Sequence, residues 1–445
     1  MAPAPVDRCR LLELGCGDGG NLVAMAVALP AARFVGVDAA PGAIVRGRDL
    51  VAALGLANVT LEARAIEDYE PQTFDYVIAH GVYSWVQSAA RDRLLGLCRA
   101  ALAPDGVAYV SYNALPGGRA LQALRDMLRF HTAALEDPHE RIAEGRALLR
   151  FLVEGAPADE LRARAGELLE RSDASLLHDD LAEVNDPVYF HEFVAHAAQH
   201  GLRYLAEADF FEMQIGAASE PAADALLGVE DPVRREQYLD FLKGRMFRQT
   251  LLVPAERDVD RTPRPQVIEG LAVATQVQRR GELFEGPAGS TLTTDHPVVV
   301  AALERAAAAW PAAVWVRELA APGADTAVLC DALLRAYAAN LVALHVHPPA
   351  VATTPGAAPR ASPLARHQAQ AGALVTNLRH VSVRIEDDLG RRLITLLDGT
   401  RDRDALAAEL GAFIAERGER MPEAQLREGL ERSLQGLARL ALLQD

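Results

Sequence analysis

The chain has 445 residues and a formal net charge of −16, and half of its residues are apolar. This length exceeds that of one ordinary domain and excludes a small domain stabilised by disulfides or metal ions. The four cysteines form no CxxC pair, so neither a disulfide scaffold nor a cysteine zinc site is expected. The longest uncharged stretch, residues 336–359, contains histidine, asparagine and proline, and no basic and apolar leader opens the chain. We therefore expect a cytoplasmic protein without membrane insertion.

The acidic charge is concentrated in the middle of the chain. Residues 131–253 contain 12 basic and 24 acidic side chains. Such a segment repels a polyanion, so nucleic acid is not an expected substrate, whereas a cationic, lysine-bearing partner is tolerated or attracted. The competing interpretation is that acidic helices keep a cytosolic protein in solution.

The first part of the chain alternates short apolar runs with helical patterns. Strands are predicted at 10–14, 33–37, 59–63, 74–79 and 106–112, and helices at 20–29, 41–54 and 89–102. Such alternation predicts an α/β fold with a doubly wound, Rossmann-like parallel sheet, which we assign to a first domain at residues 1–125.

The rest of the chain divides into three further regions. Apolar residues at three- and four-residue spacing predict a helical middle domain over 126–255, followed by a connector and helical region over 256–347. A Pro/Ala/Thr linker at 348–363 opens the last region, 348–445. This region is predicted to be a smaller α+β, winged-helix-like domain with a strand at 379–385 and helices at 389–397, 402–416 and 422–442.

A glycine cluster lies between the first strand and the first helix. Gly15, Gly17 and Gly19 match the pattern G-x-G-x-G. Gly15, Gly17 and Gly20 match the dinucleotide pattern G-x-G-x-x-G, so the loop alone fits two cofactors. Glu13 precedes the first glycine by two residues. Its carboxylate would repel a pyrophosphate and attract the ammonium group of S-adenosylmethionine.

Three further segments bear on the cofactor. Asp38 ends the second strand, where it can accept both ribose hydroxyls, but nicotinamide enzymes use the same device. Ile66 and Glu67 follow the third strand, either to read the adenine edge or as a solvated acidic turn. The motifs DYVIA at 75–79 and LAPDG at 102–106 have the layout typical of class I methyltransferases. We therefore predict S-adenosylmethionine; an oxidoreductase or a non-binding relic of the fold are the alternatives.

The loops after the fourth and fifth strands suggest where an acceptor binds, because ligands bind at the carboxyl edge of such sheets. We predict that Tyr83, Trp85 and Tyr112 line the acceptor channel, with Asn113 or Tyr112 holding an amine. His80 is a candidate cofactor contact and proton acceptor. The competing interpretations are that Trp85 only packs against the base of a helix and that His80 has only a structural role.

Three histidines, His191, His196 and His200, fall on one predicted helix. Two of them share a face, but the sequence fixes no third acid or cysteine beside them. A surface helix is therefore expected rather than a metal site.

Five motifs are more specific than the fold. They are HGVYSWV at 80–86, SYNALPGG at 111–118, EVNDPVYFHEF at 183–193, HGLRYLAEA at 200–208 and RREQYLDFLKGRMFRQTL at 234–251. Together they resemble bacterial methyltransferases that carry the methyltransferase regulatory domain, a group similar to the rickettsial protein-lysine methyltransferases that modify outer-membrane proteins. LLDGTRDRDAL at 396–406 resembles that family's carboxy-terminal winged-helix module.

The resemblance implies S-adenosylmethionine-dependent methylation of lysine side chains on a protein substrate, possibly of outer-membrane type. A small-molecule methyltransferase and a non-catalytic binding module with the same fold are the alternatives. Family members usually carry several tens of residues ahead of the glycine loop, whereas Met1 here stands about ten residues from the first strand. Because such a segment often closes over the cofactor, we expect either that cofactor affinity and activity are reduced or that the start codon is misplaced.

Overall fold

The computed structural model describes residues 3–216, 219–287, 289–320 and 326–444. Its largest element is a seven-stranded sheet of order β3-β2-β1-β4-β5-β7-β6. The strands are β1 (Arg10–Leu14), β2 (Arg33–Asp38), β3 (Val59–Ala63), β4 (Phe74–Ala79), β5 (Leu102–Asn113), β6 (Leu202–Glu207) and β7 (Phe247–Pro254). The first five are parallel, and β7 runs antiparallel to both β5 and β6.

Three helices connect the parallel strands, namely α1 (Gly20–Ala28), α2 (Pro41–Ala53) and α3 (Ser88–Ala101). Strands β1 and β4 contribute fully buried residues such as Leu12 and Val77, because helices cover both faces of a doubly wound sheet. The predicted α/β fold is confirmed, and the five predicted strands and three predicted helices are all present. The fifth strand is longer than expected and begins at Leu102.

The middle of the chain contributes helices and also completes the sheet. Its helices are α4 (Gly118–His131), α5 (Pro138–Gly155), α6 (Asp159–Leu169), α7 (Asp173–Ser175), α8 (Phe190–Gln199), α9 (Glu220–Leu227) and α10 (Pro232–Lys243). Strands β6 and β7 lie among them, so the prediction of helices alone over 126–255 was incomplete. The prediction missed these two strands because a short apolar run forms a strand only where a neighbouring strand offers an edge for pairing.

The region from 256 to 347 has its own core around Phe284, Leu303 and Leu333. Its strands are β8 (Ala272–Ala274), β9 (Gln278–Arg280), β10 (Leu283–Glu285), β11 (Thr291–Thr293), β12 (Val314–Trp315) and β13 (Ala343–His345). Its helices are α11 (Pro297–Ala308), α12 (Val316–Leu319) and α13 (Ala327–Ala338).

The carboxy-terminal region packs helices around small two-stranded sheets. Its strands are β14 (Arg360–Ala361), β15 (Leu374–Thr376), β16 (Ser382–Arg384) and β17 (Leu443–Gln444), and its helices are α14 (Pro363–Ala371), α15 (Asp388–Leu396), α16 (Arg403–Glu416) and α17 (Glu423–Arg439). The segment predicted as a linker is packed on this region, since the Ala352 N–H donates to the Leu443 carbonyl over 3.0 Å. Among the described residues, no helix has both the length and the apolar character needed to cross a bilayer.

Candidate functional site

The glycine loop turns between β1 and α1 through three left-handed residues. Gly15, Gly17 and Gly19 have φ values of 72°, 58° and 74°, a region that side chains with a Cβ rarely adopt. A Cβ on Gly15 would also lie 2.4 Å from a methyl carbon of Val82. The turn therefore needs glycine for both conformation and space.

Glu13 lies at the end of β1 beneath this loop. Its side chain is 5% exposed, and its carboxylate accepts hydrogen bonds from the Asn21 amide over 3.1 and 3.2 Å. Burial raises the pKa of Glu13 to about 7, although the bond from Asn21 opposes the rise. No ion pair to Glu13 is found among the residues that the structure describes. A buried acid with one neutral donor is suited to a cationic ligand group.

Asp38 joins the glycine loop to the end of β2. One carboxylate oxygen accepts from the Gly17 N–H over 2.8 Å, and the other accepts from the Ala40 N–H over 2.7 Å. Each carboxylate oxygen has a second lone pair, so the group can still accept from a ligand hydroxyl. Ile66 is half-buried and Glu67 is exposed in a short 3₁₀ turn after β3. The roles of these residues toward ribose and adenine stay predictions.

His80 follows β4 at the carboxyl edge of the sheet. Its Nδ1 lies 3.0 Å from the Ser111 hydroxyl and 3.2 Å from the Tyr109 hydroxyl. Burial lowers the pKa of His80, so the imidazole is neutral near pH 7. The ring meets Phe247 edge-on, with centroids 6.2 Å apart.

Tyr83 and Tyr112 lie in the protein core rather than on an open channel wall. Tyr83 is 3% exposed and its hydroxyl lies 2.9 Å from His196 Nδ1, while burial raises its pKa to about 12. Tyr112 is 1% exposed, stacks on Phe193 with centroids 4.0 Å apart, and bonds the Thr250 hydroxyl over 3.1 Å. Their predicted contact with an acceptor remains untested, and this placement favours a supporting position behind the sheet edge.

Asn113 ties the fifth-strand loop to two other segments. Its N–H donates to the Ser84 hydroxyl over 2.9 Å, and its side-chain amide donates to Asn185 over 2.8 Å. Trp85 is half-buried, with the Arg125 guanidinium 5.7 Å from its ring centre. The structure thus brings the loops after β4 and β5 together, as the sequence predicts. It also adds the buried Asn185, which the EVND motif contained without indicating a role.

Strand β7 supplies a part of this edge that sequence reasoning did not find. Phe247 pairs with Asn113 in the register of β5 and β7 and is 41% exposed. It borders an open cleft of about 720 Å³, which Phe211, Leu242 and Met246 also line. The sequence of residues 234–251 could not reveal this location, because it depends on the antiparallel pairing of β7 with β5.

A buried charge network supports the same strand. The Arg248 guanidinium is fully buried and donates to Glu207 over 2.6 Å, to Asp240 over 2.8 Å and to Glu236 over 3.1 Å. Glu207 also accepts from the Thr250 hydroxyl over 2.9 Å. Thr250 in turn contacts Tyr112, so the network fixes the aromatic core beneath this edge of the sheet.

Three family models match separate parts of the chain. Residues 12–108 match a methyltransferase domain, residues 172–254 match a predicted methyltransferase regulatory domain, and residues 358–442 match the PKMT, C-terminal winged helix domain. The last match confirms the winged-helix prediction for the carboxy-terminal region.

Curated proteins from two bacteria are similar to this chain. Rickettsia prowazekii (strain Madrid E) RP789 is 39% identical over 264 residues, 58% of this chain and 48% of that protein. RP028 from the same strain is 32% identical over 213 residues, 46% of this chain and 85% of that protein. Synechocystis sll1526 is 29% identical over 253 residues, 54% of this chain and 50% of that protein. The matched part thus spans about half the length of RP789 and sll1526.

Solved structures of another rickettsial protein are similar along the whole chain. PKMT2 from Rickettsia typhi, in complex with AdoHcy, gives a TM-score of 0.87 at 24% identity and covers 100% of this chain and 95% of that one. The two proteins therefore share a fold from the glycine loop to the winged helix.

Proposed function

The chain belongs to the methyltransferase family that combines a methyltransferase domain, a methyltransferase regulatory domain and a PKMT winged-helix domain, and we propose that it methylates protein lysines with S-adenosylmethionine. One observation carries the cofactor part of this proposal. Glu13 is a buried carboxylate with a neutral hydrogen-bond partner, directly beneath a glycine loop in which a Cβ on Gly15 would clash with Val82.

The residues of the loop fit S-adenosylmethionine. Glu13 would take the ammonium group, Asp38 the ribose hydroxyls, and the backbone at Ile66 together with Glu67 the adenine edge. Gly15, Gly17 and Gly19 let the backbone approach these groups closely, and His80 is placed to contact the cofactor from the fourth strand. When bound, the cofactor supplies a sulfonium methyl group whose S–C bond breaks as the acceptor nitrogen forms its new N–C bond.

The chain's own residues would prepare the acceptor. A free lysine has a pKa of about 10.4 and must lose a proton before it can attack. The neutral His80 imidazole at the sheet edge is suited to accept that proton, and the Asn113 amide is suited to orient the amine. Tyr83 and Tyr112 would hold these loops from behind, and the exposed Phe247 ring offers a surface for a cationic side chain.

Support for a protein acceptor comes from outside the cofactor domain. The regulatory and winged-helix matches add two regions to the methyltransferase domain, which favours a macromolecular acceptor, and residues 131–253 carry excess acidic charge. PKMT2, the protein with the same fold, bears the abbreviation for a protein lysine methyltransferase. We further propose an outer-membrane-type protein as the acceptor and a cytoplasmic location, both on the strength of the family resemblance.

Calorimetric titration with S-adenosylmethionine tests the cofactor site. We expect saturable binding to the wild type, and binding at least tenfold weaker in Glu13→Gln, which keeps the shape and the Asn21 contact but removes the charge. A control variant, Glu62→Gln on β3, should bind like the wild type. Absence of binding in the wild type, or equal binding in Glu13→Gln, would contradict the proposal.

Methyl-labelled cofactor tests the acceptor. Incubation with bacterial lysate should transfer label to protein, and hydrolysis should return it as methylated lysine. Label recovered only in small molecules would favour the alternative acceptor class, while cofactor binding without any transfer would favour a binding module.

A further inference from the structure

A cluster of metal-binding side-chain types lies between one side of α3 and the end of α8, outside the cofactor site. Asp92 projects from α3, His196 projects from α8, and His200 directly follows the last residue of α8. One Asp92 oxygen lies 2.8 Å from His196 Nε2 and 3.3 Å from His200 Nε2. We propose that these three side chains bind a divalent transition-metal ion, for which zinc is the best match.

The ligand set and its spacing agree with this ion. The three ligand atoms lie within 4.8 Å of one another. Zinc–nitrogen bonds of about 2.0–2.1 Å place neighbouring ligand atoms of a tetrahedral ion about 3.3 Å apart, so only small side-chain movements would admit the metal. Two imidazoles and one carboxylate also form the protein part of open zinc sites, and Asp92 is 54% exposed, which leaves the fourth position to solvent.

Hydrogen bonding around the cluster favours metal binding as well. His196 Nδ1 lies 2.9 Å from the Tyr83 hydroxyl. When Nδ1 carries the proton and donates it to Tyr83, Nε2 presents its lone pair toward Asp92. Metal-binding histidines are commonly oriented in this way by a hydrogen bond to the other ring nitrogen. Without a metal, each Nε2 must instead carry a proton to bond the Asp92 carboxylate.

The electrostatic setting also suits a cation. The cluster lies at the carboxy-terminal end of α8, where unpaired carbonyls give the helix a partial negative charge. Side chains of His196 and His200 are only 20% and 23% exposed, which limits their freedom before binding.

A bound ion would connect the two parts of the chain that form the acceptor edge. Helix α3 belongs to the cofactor domain and α8 to the regulatory segment, and their apolar faces already share one core. Through His196 the ion would also fix Tyr83 on the loop after β4. The structure therefore assigns the metal a positioning role, outside the reacting groups.

Metal-free full-length protein, prepared with a chelator, provides the test. Titration with zinc should show one tight site per chain and raise the Tm by about 3 °C or more. Cobalt should give the visible absorption of a four-coordinate ion. Asp92→Asn and His200→Ala, neither of which contacts Tyr83, should weaken zinc binding at least a hundredfold, whereas the exposed-histidine control His139→Ala should bind normally.

The Tm of each variant in chelator shows whether it is folded. Variants that fold and still bind zinc as tightly as the wild type would overturn the proposal, because the metal would then bind elsewhere. Absence of a stoichiometric site in the wild type would overturn it equally. None of these measurements depends on methyl transfer, so the result is independent of the proposed function.

Discussion

The cofactor edge and the acceptor edge of the sheet are built in different ways. Glu13, Gly15 and Asp38 belong to one β-α-β unit, and backbone N–H groups hold Asp38 in place. The acceptor edge joins the loops after β4 and β5 to Asn185 and to Phe247 on β7. A short local unit can thus fix one half of the site, while the other half depends on a distant buried network.

The largest test of this difference removes Arg248. Arg248→Met leaves Glu207 and Glu236 buried without this cation and Asp240 with Arg245 alone, and we expect the free energy of unfolding to fall by about 3–5 kcal/mol. Urea denaturation measures this loss. Arg33→Met, an exposed substitution on β2 of the cofactor half, should change stability by less than about 0.5 kcal/mol. If the two substitutions lowered the free energy of unfolding equally, the buried network would not distinguish one edge of the sheet from the other.

Glu13 should make the cofactor edge respond to pH. Its pKa of about 7 in the fold exceeds the ordinary value of 4.5, so the folded chain holds the proton more tightly than the unfolded chain. Stability should therefore fall as pH rises from 4.5 to 7, and Glu13→Gln should be more stable than the wild type above pH 7, by up to about 3 kcal/mol.

Cofactor affinity should follow the opposite course, since the ammonium group needs the ionised carboxylate. We expect binding to the wild type to weaken as pH falls below 7, and Glu13→Gln to lack this dependence. Thermal unfolding and calorimetry across pH 5–8 measure both trends. If the stability of the wild type and that of Glu13→Gln follow the same pH dependence, the pKa of Glu13 is not raised in the fold.

Gly15→Ala tests whether the local unit tolerates a side chain. The left-handed conformation and the contact with Val82 should cost about 2 kcal/mol and weaken cofactor binding at least tenfold. Gly55→Ala is the matched control, because Gly55 has a φ of 64° with open space around its Cβ position. Gly55→Ala should lower the free energy of unfolding by about 1 kcal/mol without changing cofactor affinity. If it lost as much affinity as Gly15→Ala, the loss in both variants would come from general destabilisation.

The smallest expected effect comes from the bond between Asn113 and Asn185. Asn185→Ala should lower stability by about 1 kcal/mol and reduce kcat while cofactor affinity stays unchanged. A double-mutant cycle with Asn113→Ala should give a coupling energy of about 1 kcal/mol. Additive losses would mean that the two amides act separately.

Much of the cofactor domain could be predicted from the sequence. Its five strands and three helices follow from local alternation of apolar runs and helical spacing, and the glycines mark the turn that needs left-handed residues. Strands β6 and β7 could not be assigned in the same way. Strand β7 enters the sheet by pairing with β5, which lies more than a hundred residues earlier in the chain, and β6 enters it by pairing with β7.

The same distinction applies to the histidines of α8. Their four-residue spacing is visible in the sequence, but the acid that completes the cluster, Asp92, comes from a helix about a hundred residues earlier. Tyr83 and Tyr112 were predicted as channel residues because their loops reach the sheet edge. Only packing against Phe193 showed that their rings turn inward.

The sequence by itself therefore determined the parallel sheet, the glycine turn and the acid that makes the turn suitable for a cation. These features depend on residues close together in the chain, where conformational preference and charge act directly. The tertiary structure decided which distant segments meet at the acceptor edge, which tyrosines are buried and which acid faces the paired histidines. Those outcomes arise from strand pairing and shared burial, which local patterns do not encode.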